Sequence, residues 1–79
     1  LLIALELDAR KWKCPRPLIE TKLCLRQLTS GQKMRLLITD TSSQRDIPKW
    51  LSATGFEFAI TPQQTEVMEI IITKREHDV

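Results

Sequence analysis

Residues 3–28 read IALELDARKWKCPRPLIETKLCLRQL, and their periodicity changes once along the way. Ile3, Leu5 and Leu7 alternate with Ala4, Glu6 and Asp8, the period of a half-buried strand. Leu18 to Leu28 contains no Gly or Pro, and Leu18, Thr21, Leu25 and Leu28 recur on one helical face with Cys24 beside them. Between strand and helix lie a loop, Ala9 to Lys13, and then Cys14-Pro15-Arg16-Pro17. Pro15 and Pro17 cannot sit deep in a helix, since each lacks an N–H and clashes with the turn before it. Both are accepted in a first turn, where amides are unpaired in any case. Cys14 is therefore expected at or next to the helix N-cap.

The rest of the chain continues the alternation. Ser30-Gly31 is expected to stop the first helix. Met34, Leu36 and Ile38 alternate with Arg35, Leu37 and Thr39 as a second strand. Asp40 to Ser43 reads as a polar turn, and Ser43-Gln44-Arg45-Asp46 has capping-box character with Asp in place of Glu. Pro48 belongs in a first turn, so the cap of the second helix is expected after Ser43. Ile47, Trp50 and Leu51 supply that helix's apolar face, and Gly55 ends it. Phe56, Phe58 and Ile60 alternate with Glu57 and Ala59. Pro62 to Glu66 form a turn, and Val67 to Lys74 make the last strand, with Met68, Ile70 and Ile72 towards the core.

The order is β-α-β-α-β-β. A right-handed crossover makes the first two strands parallel, and the last two form a hairpin. The expected fold is α/β (α+β): a two-layer sandwich, a four-stranded mixed sheet with two helices on one face. One domain, 1–79, is expected at this length. Leu37, Ala59 and Ile71 then look outward from the bare face, as ordinary exposed apolar residues or as part of a docking surface.

With 42% apolar and 28% charged residues, the chain suits a folded domain rather than a disordered one. The opening apolar run is broken by Glu6 and Asp8; it is too short for a membrane span and lacks a signal-peptide layout. The chain opens on Leu1, so a few residues are expected ahead of it. Two cysteines and one histidine cannot close a four-ligand zinc site from Cys and His alone. No metal or cofactor is expected. Along one helix, Cys14 and Cys24 would lie roughly 15 Å apart. Disulfide partners need Cα atoms within about 7 Å. Unpaired thiols fit a reducing compartment, and the cytoplasm is expected.

A helix N-terminus favours an anion, and the thiolate is the reactive form of cysteine. Arg10, Lys11, Lys13, Arg16, Lys22 and Arg26 flank Cys14, and residues 9–35 carry eight bases against one acid, Glu20. Nearby cations favour the ionised thiol, so a lowered pKa is expected at Cys14. The plainer reading makes Cys14 a small apolar residue filling space before a helix, as Cys24 is expected to do in mid-helix. Residues 55–79 carry five acids and two bases. The Cys14 end is thus positive, which suits an acidic protein partner or RNA. Trp12, between Lys11 and Lys13, is the one cluster that suggests RNA; otherwise it covers the edge of the core.

Cys14-Pro15-Arg16-Pro17 resembles the Cys-Pro-x-Pro motif of the TusA/SirA-like sulfur carriers. Asp8 stands upstream as in that family. Asp40 resembles the acid that closes its second strand, and Arg45-Asp46-Ile47-Pro48 resembles its second-helix start. The likeness covers nearly the whole chain. Two positions depart: Lys11 stands where the family often has Gly, and Arg16 occupies a variable position where an acid is also seen. The resemblance implies a sulfurtransferase that accepts sulfane sulfur as a persulfide on Cys14 and passes it on. It implies a cysteine desulfurase or rhodanese-type donor and an acceptor protein in tRNA thiolation, molybdenum-cofactor synthesis or sulfur oxidation. Arg10, Lys13 and Arg16 are the candidates for thiolate stabilisation and partner docking, with Pro15 and Pro17 shaping the site. A monomer is expected. His77 reads as a tail residue rather than a general base. The alternatives are a small basic module that binds RNA directly and a redox switch acting through Cys14.

Overall fold

The computed structural model describes residues 3–62 and 65–75. Its elements are β1 (Leu5–Ala9), α1 (Arg16–Gln27), β2 (Lys33–Ile38), α2 (Thr41–Thr54), β3 (Glu57–Ile60) and β4 (Met68–Thr73). They build one four-stranded sheet in the order β1-β2-β4-β3. β1 and β2 are parallel, and β4 is antiparallel to both β2 and β3. This is the expected mixed two-layer sandwich. The last strand takes an interior position and leaves β3 at the edge. β4 carries Ile70, Ile71 and Ile72 in a row, of which Ile70 and Ile72 are buried and Ile71 half-buried. β3 is short and mostly exposed.

The helices cover the inner face at a regular interval. α1 buries Pro17, Thr21 and Leu25, and α2 buries Ser43, Ile47 and Leu51. Residues four apart stack on one helical face, so each helix lays one row on the sheet. They meet Met34, Leu36 and Ile38 from β2 and Ile70 and Ile72 from β4, all fully buried. Register brings Leu36 opposite Ile70 and Met34 opposite Ile72. Thr21 is tolerated in this core because its hydroxyl donates to Pro17 O at 2.7 Å. Cys24 packs at the margin of the core, as expected.

On the other face, Leu37 and Ile71 are half-buried and Ala59 is exposed. On this sheet Arg35 of β2 pairs with Glu6 of β1 and Glu69 of β4. Lys33 Nζ donates to Thr73 Oγ1 at 2.7 Å.

Two boundaries differ from expectation. α2 begins at Thr41, before Ser43 rather than after it. Its N-cap is Asp40, whose Oδ2 accepts from Ser43 N–H at 2.9 Å. Pro48 consequently lies inside the helix, where it removes one main-chain bond. Burial of Ile47 and Leu51 on either side offsets that loss. α1 ends at Gln27, ahead of Ser30-Gly31. Gly31, at φ +89°, instead forms the tight turn into β2.

Lys74 closes the α1 terminus from the far end of the sheet. Its side chain is buried, and Nζ donates to Leu25 O at 2.6 Å. A cation suits a helix C-terminus, where carbonyls lack partners. Lys74→Met, which keeps the stem and removes the donor, is expected to cost about 2 kcal/mol. The check is a lower urea midpoint with an unchanged m-value.

Candidate functional site

The strand and helix that flank Cys14 both pack into the core, so the segment between them is brought to one end of the sheet. Cys14 is exposed and unpaired there. It stands immediately before the α1 N-cap, which is Pro15, and the Cys14–Pro15 peptide is cis. Pro17 is buried in the first turn, so this second proline also packs α1 on the sheet. Cys24 differs in kind: burial, then the charge of Glu20, pushes its thiol pKa up. Cys24 is thereby held towards the less reactive form.

The first turn offers fewer amides than the sequence suggested. Pro15 and Pro17 have no N–H, and Arg16 N–H is spent on Lys13 O at 3.0 Å. The cations are also partly committed. Arg10 donates through Nε and Nη2 to the two oxygens of Asp8, at 2.8 Å each. The Arg16 guanidinium lies over the Trp12 ring, 4.1 Å from its centre. Trp12 itself is half-buried against the core, so it covers the core edge and carries an arginine on its ring. Lys11 and Lys13 are exposed, and among the described residues neither forms an ion pair. Together with Arg10, Trp12, Thr39, Asp40 and Glu66 they line an open cleft of about 360 Å³. Lys13 adjoins Cys14 in sequence, so the cleft reaches the thiol's own loop. His77 lies outside the described residues. Among these residues no group of three or more His, Cys, Asp or Glu gathers in a way that could hold a metal. No described helix is long and apolar enough to cross a membrane.

One contact is not readable from the local sequence. Asp40, 26 positions away, accepts from Cys14 N–H at 3.3 Å through the same Oδ2 that caps α2. Its carboxyl is held below the usual range, first by the Ser43 amide, then by the Ser43 hydroxyl, with the Cys14 amide and Lys13 adding to it. Asp8 is pulled down further, to about 2, chiefly by its bonds to Arg10. A carboxylate with a depressed folded pKa binds its proton more weakly than in the unfolded chain. Both groups therefore support the fold fully above the ordinary aspartate pKa, near pH 4, and lose that support as pH falls below it, Asp8 through about 2. The urea midpoint is expected to drop across this window, and Asp8→Asn to flatten part of the slope. Salt should weaken the Asp8 share, because the pair is exposed.

Comparison with known proteins places this arrangement. A family model described as Sulfurtransferase TusA matches residues 5–74. The chain is 34% identical over 67 residues to an Archaeoglobus fulgidus protein provisionally named a sulfur carrier protein, covering 85% of this chain and 92% of that one. It is 30% identical over 69 residues to the sulfur carrier protein TusA of Allochromatium vinosum, covering 87% and 91%. The crystal structure of a SirA-like protein from Desulfitobacterium hafniense superposes with a TM-score of 0.76 at 25% identity, over 91% of this chain and 99% of that one. Element order, strand pairing and the match over almost all of its length agree: the chain belongs to the TusA family of sulfur carriers.

Proposed function

We propose that this protein carries sulfane sulfur as a persulfide on Cys14 and transfers it between proteins. The observation that carries the reading is the exposed, unpaired thiol at the mouth of α1, beside a cleft where, among the described residues, Lys11 and Lys13 have no acid paired to them. Family membership supports it. In the loading step the Cys14 thiolate attacks the outer sulfur of a donor persulfide. A new S–S bond forms at Cys14, the donor's S–S bond breaks, and the donor cysteine leaves as a thiolate. In the unloading step an acceptor thiolate attacks the outer sulfur on Cys14, and Cys14 leaves in turn. Neither step needs an external oxidant or reductant. Nor does either need a second catalytic group from this chain, only an accessible sulfur and a docked partner that aligns the three sulfurs.

The donor would be a cysteine desulfurase or a rhodanese-type protein. The acceptor would belong to tRNA thiolation, molybdenum-cofactor synthesis or sulfur oxidation, in the cytoplasm, where free thiols persist. Lys13 and Lys11 would meet an acidic partner surface. Arg10 and Arg16 would help through the loop they hold, since one is bound to Asp8 and the other lies on Trp12.

The test is intact-protein mass spectrometry after incubation with a persulfide-loaded donor. A gain of about 32 Da, removed by a thiol reductant and mapped to Cys14, is the expected result. Folded protein that takes up no sulfur from either donor class would overturn the reading.

A further inference from the structure

The loop that presents the thiol is pinned at both ends by two consecutive residues. Thr39 Oγ1 donates to Arg10 O at 2.6 Å, and Asp40 Oδ2 accepts from Cys14 N–H at 3.3 Å. These two residues lie between the end of β2 and the start of α2. The Asp40 oxygen also accepts from Ser43 N–H and Ser43 Oγ, at 2.9 Å each, so it is itself fixed to the first turn of α2. Two other amides here bond back within the loop: Trp12 N–H to Ala9 O at 3.2 Å and Arg16 N–H to Lys13 O at 3.0 Å. The Cys14 amide is the donor that ties the thiol's own residue to another element.

We propose that Asp40 is a positioning residue for sulfur transfer: through the Cys14 amide it seats the thiol against the start of α2, while Thr39 holds the other end of the loop. The proposal rests on the sulfur-carrier reading of Cys14. Its physical basis is alignment. Displacement at sulfur needs attacking sulfur, outer sulfur and leaving sulfur close to one line, and small misplacements at such a step are costly. An exposed cysteine gains little from packing, so its orientation depends on its backbone. Asp40 contacts the Cys14 amide, and that is a contact that orients.

Asp40 also caps α2, so the test must separate the two duties. Asp40→Ser keeps an oxygen able to cap the helix but is one bond shorter and cannot also reach Cys14. Asp40→Asn keeps both length and acceptor. Thr39→Val removes the other pin without touching the cap. Single-turnover sulfur transfer from a loaded donor is measured for each, with urea midpoints and amide exchange at Cys14. Asp40→Ser should lower the rate constant on the order of tenfold, with the half-saturating donor concentration within about twofold of wild type. Its Cys14 amide should exchange faster, while its urea midpoint falls only as far as that of Asp40→Asn, which loses the same carboxylate charge. Asp40→Asn should restore most of the rate and the slow exchange. Thr39→Val should slow transfer by about threefold.

Wild-type transfer by Asp40→Ser would overturn the proposal. Asn as poor as Ser would also overturn it, by showing that charge rather than the hydrogen bond matters. So would a change confined to donor half-saturation, which would make Asp40 a partner contact. Should the wild-type protein take no sulfur at all, the carrier reading fails; Cys14 amide exchange then still decides whether Asp40 seats the loop.

Discussion

Cys14→Ser is expected to reduce sulfur loading by at least about a thousandfold, to background, because removing a nucleophile costs on that order or more. A serine hydroxyl is not ionised near neutral pH and cannot leave from sulfur as a thiolate does. The fold should be untouched. Cys14 is exposed, and substitutions at such positions usually fall within about 0.5 kcal/mol. Cys24→Ser is the matched control. Its thiol sits at the margin of the core, and burial disfavours its ionised form, so loading should persist in that variant. The pair is read by intact mass after exposure to one loaded donor. Loading that survives Cys14→Ser and disappears in Cys24→Ser would reverse the assignment.

The largest effect on stability is expected at Leu36. It is fully buried on β2, opposite Ile70, in the middle of the one layer that both helices cover. Leu36→Ala removes three buried carbons from a site with little room to collapse, at a cost of about 2–5 kcal/mol. A chain of 79 residues has a total stability of about 4–12 kcal/mol at typical per-residue values. The substitution therefore consumes a large part of the whole, and unfolding near physiological temperature is the expected result. Circular dichroism during thermal melting measures it. Leu23→Ala, on the exposed side of α1, makes the same chemical change and should cost less than about 1 kcal/mol. Equal losses at the two positions would contradict the core as described.

Much of this architecture is legible in the residue pattern. Alternation marks β1, β2 and β4, because one face of each meets the core and side chains on a strand alternate between faces. The cysteine–proline stretch marks the start of α1 for a reason that is local and steric. The two prolines leave Cys14 outside the helix, but whether it faces solvent or fills space before the helix is decided by packing, which exposes it. The second helix was harder to place. Pro48 suggested a first turn, but the helix starts seven residues earlier, at Thr41. Propensity treats a mid-helix proline as a cost; it has no knowledge of the burial of Ile47 and Leu51 that offsets that cost. The partners of the charges were also out of reach of a count. Counting bases around Cys14 made Arg10 and Arg16 look available, whereas Asp8 and the Trp12 ring hold them. A count records how many charges exist and not which partners they have found.

The residues alone settled which segments are strands and helices and which of their faces turn inward, since each of these depends on neighbours a few positions apart. Folding decided the rest. The interior place of β4, the bracing of α1 by Lys74, and the hold of Thr39 and Asp40 on the thiol loop join residues 26 to 49 positions apart. No short-range pattern encodes such contacts, because they exist only once separate elements have been packed against a common core.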